Sequence, residues 1–250
     1  GGSLKPNFWR SVTDNDMGAN VQEKFAAWRD PQMKLTSLQV DKKAKTVTAT
    51  YNLPEVKADL TIAYRATENG TLNVTQSLKT TPGAEMPEMM RFGMVMNLPY
   101  AMDQAEWYGR GPVENYSDRK LSQNVGIYKA TADQLFYPYV RPQETGTMSD
   151  LRWWNIKDNN GFGLRIESDA LFSASALHYD LYTLDEGKEK NQRHSQSLPK
   201  SQYTNLFVDL VQAGVGGVDS WSDWGRARKG HRVEYKDYTF SFRISPKTLY

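Results

Sequence analysis

The chain has 250 residues, 31 of them basic and 29 acidic, a formal net charge of +2 and no cysteine. That length suits one large domain, most readily an all-β one, or two small ones, and it can bury a sizeable core. The missing cysteine excludes disulfides, thiolate catalysis and Cys-ligated metals; the scattered charge offers no basic block for nucleic acid; and no run of about 18 apolar residues supplies a helical membrane span.

Gly1-Gly2-Ser3 carries neither a start methionine nor a signal-peptide core and reads as a cloning remnant. Residues 4–250 are then expected to be a single domain cut from a longer protein. After an aromatic-rich entry (Leu4 to Arg10 includes Phe8 and Trp9), Asp14-Asn15-Asp16 followed by Gly18 has a superficial likeness to the start of a Ca²⁺ loop. It lacks the later glycine and terminal glutamate of that loop, so we read it as a turn or side-chain cap. Val21, Phe25 and Trp28 follow at i, i+4, i+7, which predicts one short helix with Asn20 as N-cap and Pro31 as stop.

Beyond that point a two-residue period dominates. Val47, Ala49, Tyr51 and Leu53 alternate with polar residues; Leu60, Ile62 and Tyr64 repeat the pattern; Glu68-Asn69-Gly70 supplies a hairpin turn; Leu72, Val74 and Leu78 return. Phe92, Met94, Met96 and Leu98 share one face of a further strand, whereas residues 107–142, rich in Gly and Pro, read as loop. Asp158-Asn159-Asn160-Gly161 turns the chain between 153–156 and the strand of Phe162, Leu164 and Ile166. Phe172, Ala174, Ala176 and His178 alternate next, and residues 185–194, charged with both signs, read as a solvated loop. Tyr238, Phe240, Phe242 and Ile244 mark a closing strand. Many strands with turn signals predict an all-β chain, a large antiparallel β-sandwich with at most one or two short helices.

The most suggestive stretch is 214–224. Gly214, Gly216 and Gly217 let the backbone bend or approach another surface closely, and Asp219 and Ser220 lead into Trp221 and Trp224. A glycine-hinged loop carrying an indole suits a flat platform for a sugar, which has one C–H-rich face and a hydroxyl edge. The competing reading, that both indoles fill the core under a tight turn, stays open on this stretch alone. Asp14, Asp16, Glu114, Asp118, Glu144, Asp219 and Asp223 are available carboxyl groups, but no spacing pairs any two as a glycosidase requires. His178, His194 and His231 have no zinc-site spacing, and His178 reads as a satisfied core or cleft histidine. Neither a dinucleotide fingerprint nor a nucleophile elbow is present.

Four segments, 8–18, 107–119, 137–146 and 214–222, are more specific together than apart. In this order and at these separations they resemble the C-terminal small-chain domain of bacterial β-galactosidases of glycoside hydrolase family two, over nearly the whole chain. The resemblance implies a galactose-mutarotase-like supersandwich. It implies that the catalytic glutamates and the Mg²⁺ (with Na⁺ as a further candidate) belong to a preceding barrel, so that this domain holds no catalytic residue, metal or cofactor of its own. It implies as partners that barrel and the other domains of the same chain, a β-galactoside substrate, and a homo-oligomeric parent in a bacterial cytoplasm or periplasm. By the same likeness Trp221 stacks on substrate, with Gly216, Gly217, Asp219 and Ser220 supporting its loop, and Asp14, Asn15, Asp16 and Gly18 border the same cleft. Val218 and Gln212 stand where members of the family often have an acid and a histidine. A free-standing carbohydrate-binding module, or an aldose mutarotase or epimerase, remains an alternative.

Overall fold

The computed structural model describes residues 4–185 and 193–248. The cloning-remnant reading of residues 1–3, and residues 186–192 of the charged run, lie outside them. Twelve strands in antiparallel pairs carry the described chain: β1 (Lys5–Asn7), β2 (Lys34–Asp41), β3 (Thr46–Leu53), β4 (Ala58–Ala66), β5 (Leu72–Thr80), β6 (Arg91–Pro99), β7 (Gln104–Gly111), β8 (Asn124–Thr131), β9 (Met148–Lys157), β10 (Phe162–Leu177), β11 (Tyr203–Gln212) and β12 (Tyr238–Thr248). Four one-turn helices join them: α1 (Asp14–Gly18), α2 (Val21–Lys24), α3 (Ala132–Leu135) and α4 (Leu181–Leu184). The all-β antiparallel architecture is as the alternation predicts, with four short helices rather than one or two.

The 16-residue strand β10 organises the sheet. One of its edges pairs with β9 between Gly163 and Ala174. Its other edge pairs first with β12, from Phe162 to Glu167, and then with β11, from Ser173 to Leu177. Between these halves the register with β9 shifts, and such an irregularity bends a strand and raises its twist. Two wings therefore leave β10: β12-β5-β4-β3-β2 on one side of the bend and β11-β6-β1 on the other. Their apolar faces close on one core, with Phe240 and Phe242 from one wing and Phe92, Met94, Leu206 and Val208 from the other. Trp28, fully buried, packs on Phe8 with ring centres 5.5 Å apart.

The hairpin between β4 and β5 forms where Glu68-Asn69-Gly70 predicts it, Gly70 taking φ +80°, and Gly161 does the same between β9 and β10. Residues 21–28 depart from the single predicted helix. Asn20 adopts a left-handed conformation and makes no side-chain cap, and the chain tightens after Lys24 into a 3-10 turn, Ala26–Trp28. The three apolar residues still reach the core. The stretch expected as loop holds two strands, since β7 pairs with both β8 and β9 and stacks Trp107 on Trp154 at 5.3 Å. Glycine there serves close approach, because a Cβ on Gly109 would lie 2.5 Å from the Leu151 side chain. The charged run is not solvated at its start: Asp185 is buried and accepts a hydrogen bond from Trp9 Nε1 at 2.5 Å.

Candidate functional site

The four segments singled out in the sequence meet in space. The buried Arg10 is the tie between the first and the last of them. Its Nη2 bonds the Asp16 carboxylate at 3.0 and 3.1 Å and the Gly214 carbonyl at 2.9 Å, and its Nη1 reaches the Ala213 carbonyl at 2.5 Å. Asp16 in turn accepts from the Thr13 amide at 2.9 Å, and Thr13 Oγ1 accepts from the Asp16 amide at 3.1 Å. That reciprocal pair caps α1, so Asp14-Asn15-Asp16 is a helix start. Asp14 faces Arg141 at 3.4 Å, and among the described residues no group of three His, Asp or Glu side chains is placed to hold a metal ion.

The second segment holds the root of the glycine loop. Asp118 accepts from the amides of Val215 (3.1 Å) and Gly216 (2.9 Å), and a Cβ on Gly214 would lie 2.2 Å from the same carboxylate. Gly214 is thus glycine because a carboxylate occupies the space of its side chain. The loop closes on itself where the Val218 amide bonds the Trp224 carbonyl at 2.7 Å and a Cβ on Gly217 would lie 2.2 Å from the Gly225 carbonyl oxygen. Asp219 accepts from the amides of Trp221 and Ser222 and from the Ser222 hydroxyl at 2.6 Å. These bonds, the hydroxyl's foremost, hold its carboxyl below the usual carboxylate range.

On this frame Trp221 is 80% exposed and Trp224 71% exposed. The core-filling reading of the two indoles is therefore excluded for this chain. Gly18 forms the floor beneath: a Cβ there would lie 2.0 Å from the Ser220 carbonyl oxygen. Helix α1 and the 219–221 backbone are consequently in direct contact, and Lys24 bonds Asp223 on the same side. Gly18, Asp219 and Trp221, named from the sequence, lie close together in the structure. Sequence reasoning misses Arg10 and the role of Asp118, whose partners in the 213–216 segment lie some 100 to 200 positions away and leave no trace in local spacing.

The third segment is anchored through two buried glutamates. Glu114 accepts from the Thr145 hydroxyl at 3.1 Å, the Gly146 amide at 2.6 Å and Arg119 at 2.5 Å. Glu144 pairs with the buried Arg91 at 2.9 Å, and Arg91 also faces Asp209 at 3.5 Å. Burial pushes the Asp209 carboxyl up to about 7 against the pull of Arg91. All seven carboxylates named from the sequence are thus engaged by a cation, a hydroxyl or a backbone amide. His178 is buried, 2.9 Å from Asp133 and 3.3 Å from the Tyr100 carbonyl, with its ring stacked on Tyr100 at 3.8 Å. It is the satisfied histidine the alternation suggested. His194 is exposed, and His231 lies in the 228–231 turn, its carbonyl accepting from the Gly214 amide at 2.8 Å.

The model of the family described as "Beta galactosidase small chain" matches residues 2–244. A β-galactosidase of Priestia megaterium is 32% identical over 248 residues, covering 97% of this chain and 23% of that protein. One from Lactobacillus delbrueckii subsp. bulgaricus is 35% identical over 221 residues, covering 86% and 21%. The chain therefore spans little more than a fifth of the length of these relatives. Among solved structures it is similar to a galactose mutarotase related enzyme from Lactobacillus acidophilus (TM-score 0.42, 10% identity, 89% of this chain and 73% of that one). It is likewise similar to a GH36 alpha-galactosidase from Geobacillus stearothermophilus (TM-score 0.43, 8% identity, 100% and 28%). With the four segments assembled as described and the family model matching almost end to end, the chain belongs to the beta-galactosidase small-chain family.

Proposed function

We propose that residues 4–250 form one domain of a retaining β-galactosidase and present Trp221 to a substrate whose reacting atoms are handled by another part of the parent chain. The observation that carries this reading is the exposed indole on a loop pinned at its root by Asp118, at its tip by Asp219 and from below by Gly18. An exposed Trp on a mobile loop would lose much of its stacking energy to ordering; one on a braced loop is preorganised. The engaged carboxylates support the second half of the proposal, that this domain does not hydrolyse galactosides alone. A retaining site needs two carboxyl groups about 5 Å apart and free to face substrate.

Stacking of this kind contributes about 0.5–1.5 kcal/mol beyond area burial, or roughly a two- to twelvefold change in an equilibrium constant. In the full-length enzyme, Trp221→Ala is expected to raise KM for lactose within that range and to change kcat less, because the contact lies away from the reacting atoms. Unaltered steady-state constants in that variant would remove Trp221 from the site. Galactoside hydrolysis by the purified 250-residue chain would remove the division of labour.

A further inference from the structure

A second cleft, of about 380 Å³, lies on the outward face of the β11-β6-β1 wing and shares no lining residue with the Trp221 loop. Its floor follows from strand register. Asn205 pairs with Asn97, Phe207 and Lys5 both pair with Val95, and Asn7 pairs with Gly93. Residues two apart on a strand share a face, so the floor reads carboxamide, then an apolar step of Phe207 and Val95, then carboxamide. Tyr182, 54% exposed at the rim, contributes an aromatic wall.

The free hydrogen-bonding capacity sits at the two ends. Asn97 Nδ2 donates to Asn205 Oδ1 at 2.6 Å, which leaves Asn97 Oδ1 as an acceptor with no partner among the described residues. At the other end Asn7 is buried; its Oδ1 accepts from the Trp9 amide, while its Nδ2 has no partner among the described residues. Buried polar groups without partners are rare. Of the four charged groups of the lining, Arg29 donates to the Asp185 carbonyl at 2.7 Å and lies over the Tyr182 ring, Asp180 caps α4 through the Thr183 amide, and Lys5 and Asp30 are exposed. Neutral carboxamides flanking an apolar step, beside an exposed aromatic ring, match a ligand with flat C–H faces and hydroxyl edges. Asn7 and Asn97 stand four residues apart in register, roughly 13 Å at the strand rise. A single pyranose is too short for that span, and two linked pyranoses cover it.

We propose that this cleft is a non-catalytic binding site for a neutral oligosaccharide of two or more pyranose units, separate from the Trp221 platform. The test is a titration of the ¹⁵N-labelled 250-residue chain with lactose, maltose, D-galactose and the open-chain polyol sorbitol. The disaccharides are expected to shift the Asn7, Asn97 and Asn205 carboxamide resonances saturably in the millimolar range, with galactose about tenfold weaker and sorbitol silent. Tyr182→Ala, at an exposed rim position, is expected to weaken binding roughly fivefold. Trp221→Ala is expected to leave it unchanged. The proposal is overturned if those carboxamides do not respond to either disaccharide, if sorbitol binds as well as lactose, or if Trp221→Ala abolishes the response. Should Tyr182→Ala perturb the fold, the pattern of shifted carboxamides in the unmodified chain decides alone.

Discussion

Asp209 carries a charge that burial disfavours. It is fully buried, its Oδ1 has no hydrogen-bond partner, and burial outweighs the attraction of Arg91 to lift its carboxyl to about 7. An unfolded aspartate titrates near 4. Between about pH 4 and pH 7 the folded chain therefore holds a proton that the unfolded chain has released, so this residue makes stability fall as pH rises across that window. The loss is bounded by about 4 kcal/mol, with no further change above pH 7. Asp209→Asn fixes the neutral form. Urea denaturation is expected to show the variant gaining on the parent chain from pH 5 to pH 8, and a pH-independent difference would mean that Asp209 is ionised throughout. Arg10 presents the opposite balance, since its guanidinium is matched by Asp16 and two carbonyls. Arg10→Met would strand a buried carboxylate, and the expected destabilisation is about 3–5 kcal/mol, measurable in the same experiment. A loss well under 1 kcal/mol would show that Asp16 finds water or another donor.

At the scale of elements, the loop of residues 214–224 behaves as a braced unit whose stiffness comes from a different part of the chain. Asp118→Ala removes the acceptor of the Val215 and Gly216 amides while leaving the Asp219 turn intact. Amide hydrogen exchange is expected to speed at residues 215 and 216 by at least about tenfold, with the core strands unaffected. Unchanged exchange there would show that the Arg10 tie alone holds the root. The same contrast between local and distant causes explains what the sequence discloses. β3, β4 and β5 are legible because their turn chemistry and alternation are local, and Gly70 takes the positive φ that the turn requires. β7 is hidden because Gly109, read as a breaker, is in fact the point where Leu151 packs against the strand. β11 mixes apolar residues with Asn205 and Asp209, which face not solvent but the buried polar layer on its outer side. The helix expected at 21–28 is interrupted because Phe25, with φ −110°, takes a non-helical conformation between α2 and the turn after it.

For the whole molecule, the exposed 214–224 loop was legible in kind but not in construction: glycines and an indole mark it in the sequence, while the arginine and aspartate that brace it are recognisable only once the fold brings them near. One surface points beyond the chain itself. The β12-to-β2 wing ends on β2, and the core face of that wing continues past the layer that covers it. Ala49 and Ile62 are buried, but Leu38, paired with Ala49, and Val40, paired with Val47, are each more than half exposed on the same face. A long edge strand with apolar side chains and unpaired backbone groups templates pairing with another chain. The 250-residue chain is accordingly expected to self-associate as its concentration rises. Replacing Leu38 and Val40 together by Lys is expected to keep it monomeric in sedimentation velocity, with little change in Tm, because exposed side chains contribute little to the core. A parent chain that sediments as a monomer at high concentration would refute this. A monomeric variant with a much lower Tm would instead show that these residues belong to the packed interior, and that the wing is closed without any neighbour.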